Sequence, residues 1–200
     1  MDTKFLKNYF SSLKNLLNFD EKTYKKLIEV KKILLNVKKK NKVMIFGNGG
    51  SAAISSHFSV DITKNAGIRC CNYNEADLIT CFSNDYGYEK WVEKAINFYG
   101  DPGDVLIIIS TGGKSQNIVN GCKAAKKKKF KKIITLTGHQ KNNPVSKAGN
   151  INFHVQSKAY NLVENVHQIL LLSIIDLIIG NEVYPVNWFL NLKKIIFKII

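Results

Sequence analysis

The sequence predicts an α/β domain, a three-layer sandwich in which helices cover both faces of a parallel sheet. Three observations carry that expectation. Short, wholly apolar runs such as Val43-Met44-Ile45-Phe46 read as strands buried on both faces. These runs alternate with longer segments of helical periodicity, the order expected of βα units. Two strands also run straight into glycine-rich turns that open helices, Gly47-Asn48-Gly49-Gly50-Ser51 and Ser110-Thr111-Gly112-Gly113-Lys114-Ser115.

Residues 3–17 and 21–39 read as amphipathic helices. In the second, Tyr24, Leu27, Ile28, Val30, Ile33, Leu34 and Val37 recur at helical spacing, with Asp20 placed to cap the start. Strand 43–46 then enters the first glycine loop, and a helix covers about 51–63. A strand is expected over 67–72 and a short helix over 75–82. Asn84-Asp85-Tyr86-Gly87 reads as a turn, followed by a helix over 88–98. Pro102-Gly103-Asp104 turns into strand 105–109, and the second glycine loop opens a helix over about 115–128. Strands follow at 133–137 and 151–155, then a long apolar helix over 161–179. Pro185 marks the approach to a final amphipathic helix, 188–199. All 200 residues are expected in one domain: N-terminal helices over 1–40, a core over 41–180 and a C-terminal helical extension over 181–200.

Composition narrows the function classes. Apolar residues make up 45% and aromatics 10%, enough for a packed core. The most apolar stretch, 169–175, is cut by Asp176 and reads as a buried helix rather than a membrane span, so no membrane partner is expected. Met1-Asp2-Thr3-Lys4 has no apolar leader, and Cys70, Cys71, Cys81 and Cys122 form no disulfide framework. Both features point to a reducing cytoplasm. The net charge of +15 would suit nucleic acid, but Arg69 is the only arginine and the lysines are spread along the chain. The charge reads as a solvated lysine-rich surface that would also attract an anionic substrate.

Each glycine loop follows a strand and opens a helix, a geometry that aims free backbone N–H groups at an anion. Ser51, Ser110, Thr111 and Ser115 add hydroxyls suited to phosphate oxygens. Neither loop is a Walker A motif or GxGxxG, so no nucleotide cofactor is expected. The two loops read as a cradle for a phosphate-bearing ligand, with Asn48, Gly49, Gly50, Ser51, Ser110, Thr111, Gly113 and Ser115 around it.

These loops resemble those of sugar isomerase (SIS) domains, which are flavodoxin-like with a five-stranded parallel sheet. The run Gly47-Asn48-Gly49-Gly50-Ser51-Ala52-Ala53 with His57 comes first in the same order. Asn84-Asp85-Tyr86-Gly87-Tyr88, Pro102-Gly103-Asp104-Val105-Leu106 and the serine–threonine loop follow. Over about residues 40–180, including Leu136-Thr137-Gly138 and Val163-Glu164-Asn165-Val166-His167, the chain is similar to bacterial phosphoheptose isomerases. The resemblance implies interconversion of sedoheptulose 7-phosphate and a mannoheptose 7-phosphate for surface polysaccharides. It also implies a cytoplasmic homo-oligomer, dimer or tetramer, with sites between subunits and often zinc. By position it assigns Ser110, Thr111 and Ser115 to the phosphate, and Asn48, Ser51 and Asp85 to the sugar pocket.

The catalytic positions depart from that pattern. Aldose–ketose isomerisation needs a base beside the carbonyl and an acid for its oxygen. Where the family has glutamate four residues after His57, this chain has Asp61. Glu164 replaces a glutamine, Leu172 replaces the second histidine, and Lys114 stands where asparagine is usual. One reading is a remodelled enzyme in which His57, Asp61 and Glu164 meet across the pocket as acid–base groups or as ligands for Zn²⁺. The other is a pocket that only binds a sugar phosphate, as a regulator or, like some relatives of the family, as a partner of the replication initiator.

Overall fold

A computed structural model describes residues 1–184 of the chain. The expected helix at 188–199 and Pro185 lie outside the described residues. Five strands form one parallel sheet in the order β2-β1-β3-β4-β5: β1 Val43–Phe46, β2 Cys70–Cys71, β3 Val105–Ser110, β4 Lys132–Thr137 and β5 Ile151–His154. The helices are α1 Asp2–Leu16, α2 Glu21–Leu35, α3 Gly50–Ala66, α4 Ala76–Tyr86, α5 Trp91–Tyr99, α6 Gln116–Lys127, α7 Pro144–Ala148 and α8 Tyr160–Ile179.

Alternation along the strands builds two cores. Val43, Ile45, Val105, Ile107 and Ile109 point to one face, against Leu34 of α2, Phe58 and Ile62 of α3, and Val166 and Leu170 of α8. Met44, Phe46, Leu106 and Ile108 point to the other, against Trp91 and Ile96 of α5 and Ile118 and Cys122 of α6. The three-layer arrangement follows. Helix α8, 20 residues long, meets the length and apolarity needed to cross a bilayer, yet eight of its residues are buried in this protein core.

Several element boundaries differ from the sequence expectation. The second strand shrinks to Cys70–Cys71, and the expected 84–87 turn is instead the end of α4, with only Gly87 outside the helix at φ +89°. Apolar Leu78, Ile79 and Phe82 seat α4 on the second core, so packing prolongs a helix that local turn residues would have ended. Helix α5 is preceded by a 3₁₀ turn at Tyr88–Lys90. Helix α7, unexpected from the sequence, has Pro144 in its first turn and is capped by Asn143, whose side chain accepts from the Ser146 N–H at 2.8 Å. Of the expected apolar face of α2, Leu27, Val30, Ile33 and Leu34 are buried while Tyr24 and Ile28 are exposed.

At the N-terminal ends of β1 and β3, buried Asp104 ties the two strands together. Its carboxylate accepts from the Asn41 side chain and the Lys42 N–H at 3.0 Å each, from Lys42 Nζ at 2.8 Å and from the Asp101 N–H at 2.9 Å. The opposite, C-terminal ends of β1 and β3 feed the two glycine loops. From there α3 turns to one face of the sheet and α6 to the other. This divergence opens a crevice at the point where parallel α/β sheets bind ligands.

Candidate functional site

The first glycine loop can only be made from glycine at its tight points. A Cβ on Gly47 would sit 2.6 Å from the Ser51 backbone, and Gly49 holds φ +54° at the N-cap of α3. Asn48 is fixed by a reciprocal amide pair with buried Asn117 of α6, its oxygen accepting from Asn117 Nδ2 at 2.8 Å and its nitrogen donating back at 3.0 Å. This pair locks the two loops to each other. The second loop turns at Gly113, φ +65°, where a Cβ would fall 2.1 Å from the Asn143 side chain. The α7 cap therefore doubles as the floor of the second glycine loop.

Between the loops lies a cleft of about 470 Å³. Asn48 and Ser51 line it from the first loop, and Ser110, Thr111, Lys114 and Ser115 from the second. The Thr111 hydroxyl is buried and has no hydrogen-bond partner, and the Ser115 side chain leaves the α6 N-terminus uncapped. Donors thus remain for an anion. The far wall was not anticipated from the sequence. It consists of His139, Gln140 and Lys158 from the loops after β4 and β5, and Tyr160 at the start of α8. Those loops are pinned together where the His139 N–H donates to the Ser157 carbonyl at 2.9 Å, and the His139 and Tyr160 rings meet edge to face at 5.0 Å. Their only sequence signal is position, at the C-terminal ends of parallel strands.

Glu164 of α8 closes one side of this cleft and also faces a second hollow of about 400 Å³. Its carboxylate lies over Gly50, where a Cβ would approach Oε2 to 2.3 Å. The second hollow holds His57 and Gln168. His57 Nε2 lies 3.3 Å from the Asp61 carboxylate, one helical turn on, and Gln168 Nε2 lies 3.4 Å from His57 Nδ1.

His57, Asp61 and Glu164 are not gathered into one cluster. Among the described residues no group of three His, Cys, Asp or Glu side chains could hold a metal ion. The reason is the run of the two helices. Glu164 sits at the start of α3 beside Gly50, whereas Asp61 looks to the far end of α8. There burial, and then the charges of Asp61 and Glu182, raise the Asp176 carboxyl above its ordinary range. Asp176 is twelve residues beyond Glu164, about 18 Å along a helix. Leu172 packs against the core and offers no donor. The expected zinc ligand set therefore does not fit within one chain. Asp85 is a second correction: it is exposed on α4, accepts from Asn84, and lines neither hollow. The segment instead reaches the loop through Tyr88, whose hydroxyl donates to Asn48 Oδ1 at 3.3 Å.

His167 is buried beneath the cleft, where its Nε2–H donates to the Thr137 carbonyl at 3.2 Å. Burial pushes its pKa down to about 4, so it is a neutral structural group.

Comparison with known proteins agrees with this architecture. The SIS domain model matches residues 8–138. The phosphoheptose isomerase of Buchnera aphidicola subsp. Schizaphis graminum is 32% identical over 190 residues, 92% of this chain and 93% of that protein. The phosphoheptose isomerase structure from Neisseria gonorrhoeae superposes with a TM-score of 0.81 at 24% identity, covering 89% of this chain and 99% of that one. The Francisella tularensis structure gives 0.77 at 22%, covering 88% and 95%. The chain belongs to the SIS domain family, in its phosphoheptose isomerase branch.

Proposed function

We propose that the protein is an aldose–ketose isomerase acting on a sugar phosphate, sedoheptulose 7-phosphate or a close relative, in the cytoplasm. The observation that carries this reading is a continuous wall. One cleft of about 470 Å³ is lined both by the phosphate-type loop at Ser110–Ser115 and by Glu164, so a sugar can lie in it with its phosphate toward the loop and its carbonyl toward the carboxylate. Backbone N–H groups of Lys114 and Ser115, the hydroxyls of Ser110, Thr111 and Ser115, and the Lys114 cation hold the phosphate, while the Gly113 N–H closes the turn onto the Ser110 carbonyl. Asn48, Gly49, Gly50 and Ser51 hold the sugar hydroxyls, and Lys158 adds positive charge at the rim.

Isomerisation moves one proton from C1 of the ketose to C2 through an enediol, while a second proton passes between the two oxygens. Glu164, on the cleft wall, serves as the carbon base and returns that proton. His57, with Asp61 acting through it, handles the oxygen proton. No step is assigned to a metal. The unit in solution is a homo-oligomer, supported by α1, which buries none of its residues while Phe5 and Phe10 are 66% and 61% exposed.

Glu164→Gln is the direct test. Turnover of sedoheptulose 7-phosphate, followed by product formation and deuterium uptake from solvent, should fall by at least about a hundredfold. Binding, followed by thermal shift, should persist. Normal isomerisation by this variant would overturn the assignment. A wild-type protein that binds the sugar phosphate without exchanging its protons would favour a binding regulator.

A further inference from the structure

The geometry points to Gln168 as a positioning residue that fixes His57 with its Nδ1 as the free base, Asp61 orienting the ring from the other side. This inference rests on the isomerase reading. Its basis is the chemistry of two contacts. Gln168 Nε2 lies 3.4 Å from His57 Nδ1, and an amide nitrogen only donates, so in this orientation the contact pairs with a lone pair on Nδ1. The Asp61 carboxylate, 3.3 Å from Nε2, favours the ring proton of the neutral imidazole on that nitrogen. Both contacts favour the same tautomer.

The arrangement follows the logic of a carboxylate–imidazole pair in which the carboxylate holds the ring and the opposite nitrogen accepts a proton. Nδ1 faces the hollow that Glu164 and Gln168 share. A substrate hydroxyl entering there can replace the Gln168 amide as the donor to Nδ1 and give up its proton to it. Gln168 holds the base ready until that exchange. Helical spacing explains why this residue can act. Glu164 and Gln168 are four apart on α8, so they stand on one face, above His57 of the neighbouring helix. The same contacts bear on metal binding. A metal on Nδ1 would have to expel Gln168.

The test uses the full-length protein labelled with ¹⁵N-histidine, which has only four histidines. His57→Gln identifies the His57 signals by their loss. In the wild type at pH 8, His57 should show a protonated Nε2 and an unprotonated Nδ1. Gln168→Met keeps the length of the side chain but cannot donate. It should mix the two tautomers and lower kcat on sedoheptulose 7-phosphate by about tenfold, with KM within about twofold. Gln168→Asn, which keeps an amide, should restore part of both. A wild-type Nδ1–H tautomer, or an unchanged tautomer in Gln168→Met, would overturn the positioning role, as would full kcat in a variant whose tautomer has mixed. If the tautomer responds as expected while the wild type turns over no sugar phosphate, the isomerase reading fails and the Gln168 contact stands.

Discussion

Asp104 and Thr111 flank the same strand, β3, and both are buried, yet their polar atoms are treated in opposite ways. Asp104 receives hydrogen bonds from Asn41, Lys42 and Asp101, with Lys42 donating from both backbone and side chain. The Thr111 hydroxyl receives none. Buried polar groups are nearly always paired, so an unpaired one needs a reason. At the N-terminal end of the sheet the protein has closed its polar account to hold strands β1 and β3 in register. At the C-terminal end it has left donors and acceptors open, and the glycine loops keep that end accessible. One strand thus separates a structural edge from a functional one.

The largest test of this contrast is at the closed end. Asp104→Ala leaves Lys42, whose side chain is only 12% exposed, with Asp101 as its single acidic partner, strips the Lys42 and Asp101 N–H groups of their acceptor, and leaves the Asn41 amide only the Pro102 carbonyl. Stability should fall by about 3 kcal/mol, measured by urea unfolding. Inorganic phosphate should still raise the melting temperature of the protein that remains folded. If Asp104→Ala abolished phosphate binding without destabilising, the division between the two edges would be wrong.

A second test separates unpaired atoms that serve the fold from those that serve a ligand. His167 also has an unpaired buried nitrogen, Nδ1, near the functional end, but it lines neither hollow. Its pKa of about 4 in the folded protein lies below the 6.5 of an ordinary histidine. The unfolded chain therefore takes up a proton first as pH falls, and stability is lost below about 6.5 until the folded form also protonates near 4. The stability this group supplies is intact above pH 6.5. Between about pH 6.5 and 5 the loss should be about 2 kcal/mol. In His167→Gln, whose amide can still donate to the Thr137 carbonyl, that dependence should vanish. An equal pH slope in the variant would assign the acid sensitivity elsewhere.

The same contrast explains what the sequence could and could not tell. Strands β1 and β3 were legible because burial on both faces leaves continuous apolar runs, β4 because its run is largely β-branched and buried, and β5 because its apolar and polar residues alternate. The glycine loops were legible because only glycine satisfies positive φ and close approach at Gly49 and Gly113. Helix α7 and the length of α4 were not, since Pro144 and Asn84-Asp85 carry local turn signals that packing and capping override. Within the site, residues on the loops themselves could be named, but Lys158, His139 and Tyr160 reach the cleft only through the fold. The expected meeting of Asp61 with Glu164 failed for a geometric reason. Helical spacing relates residues on one helix, and says nothing of where a second helix runs beside it. Gln168 was missed for the same cause, because its partner His57 is 111 residues away.

The smallest effect is the most discriminating, because it should move stability and binding in opposite directions. Thr111→Val is nearly isosteric and removes only the hydroxyl and its unmet hydrogen bond. If that hydroxyl is held for a ligand, the unliganded protein should lose nothing and gain up to about 1 kcal/mol in urea unfolding. Affinity for sedoheptulose 7-phosphate should fall by about tenfold, the loss of one hydrogen bond to a charged oxygen. Asp104→Ala predicts the reverse pairing, with stability lost and affinity kept. A Thr111→Val protein that was less stable and bound as well as the wild type would mean that Thr111 belongs to the structural edge after all. The unpaired hydroxyl would then be a packing accident rather than the mark of a phosphate site.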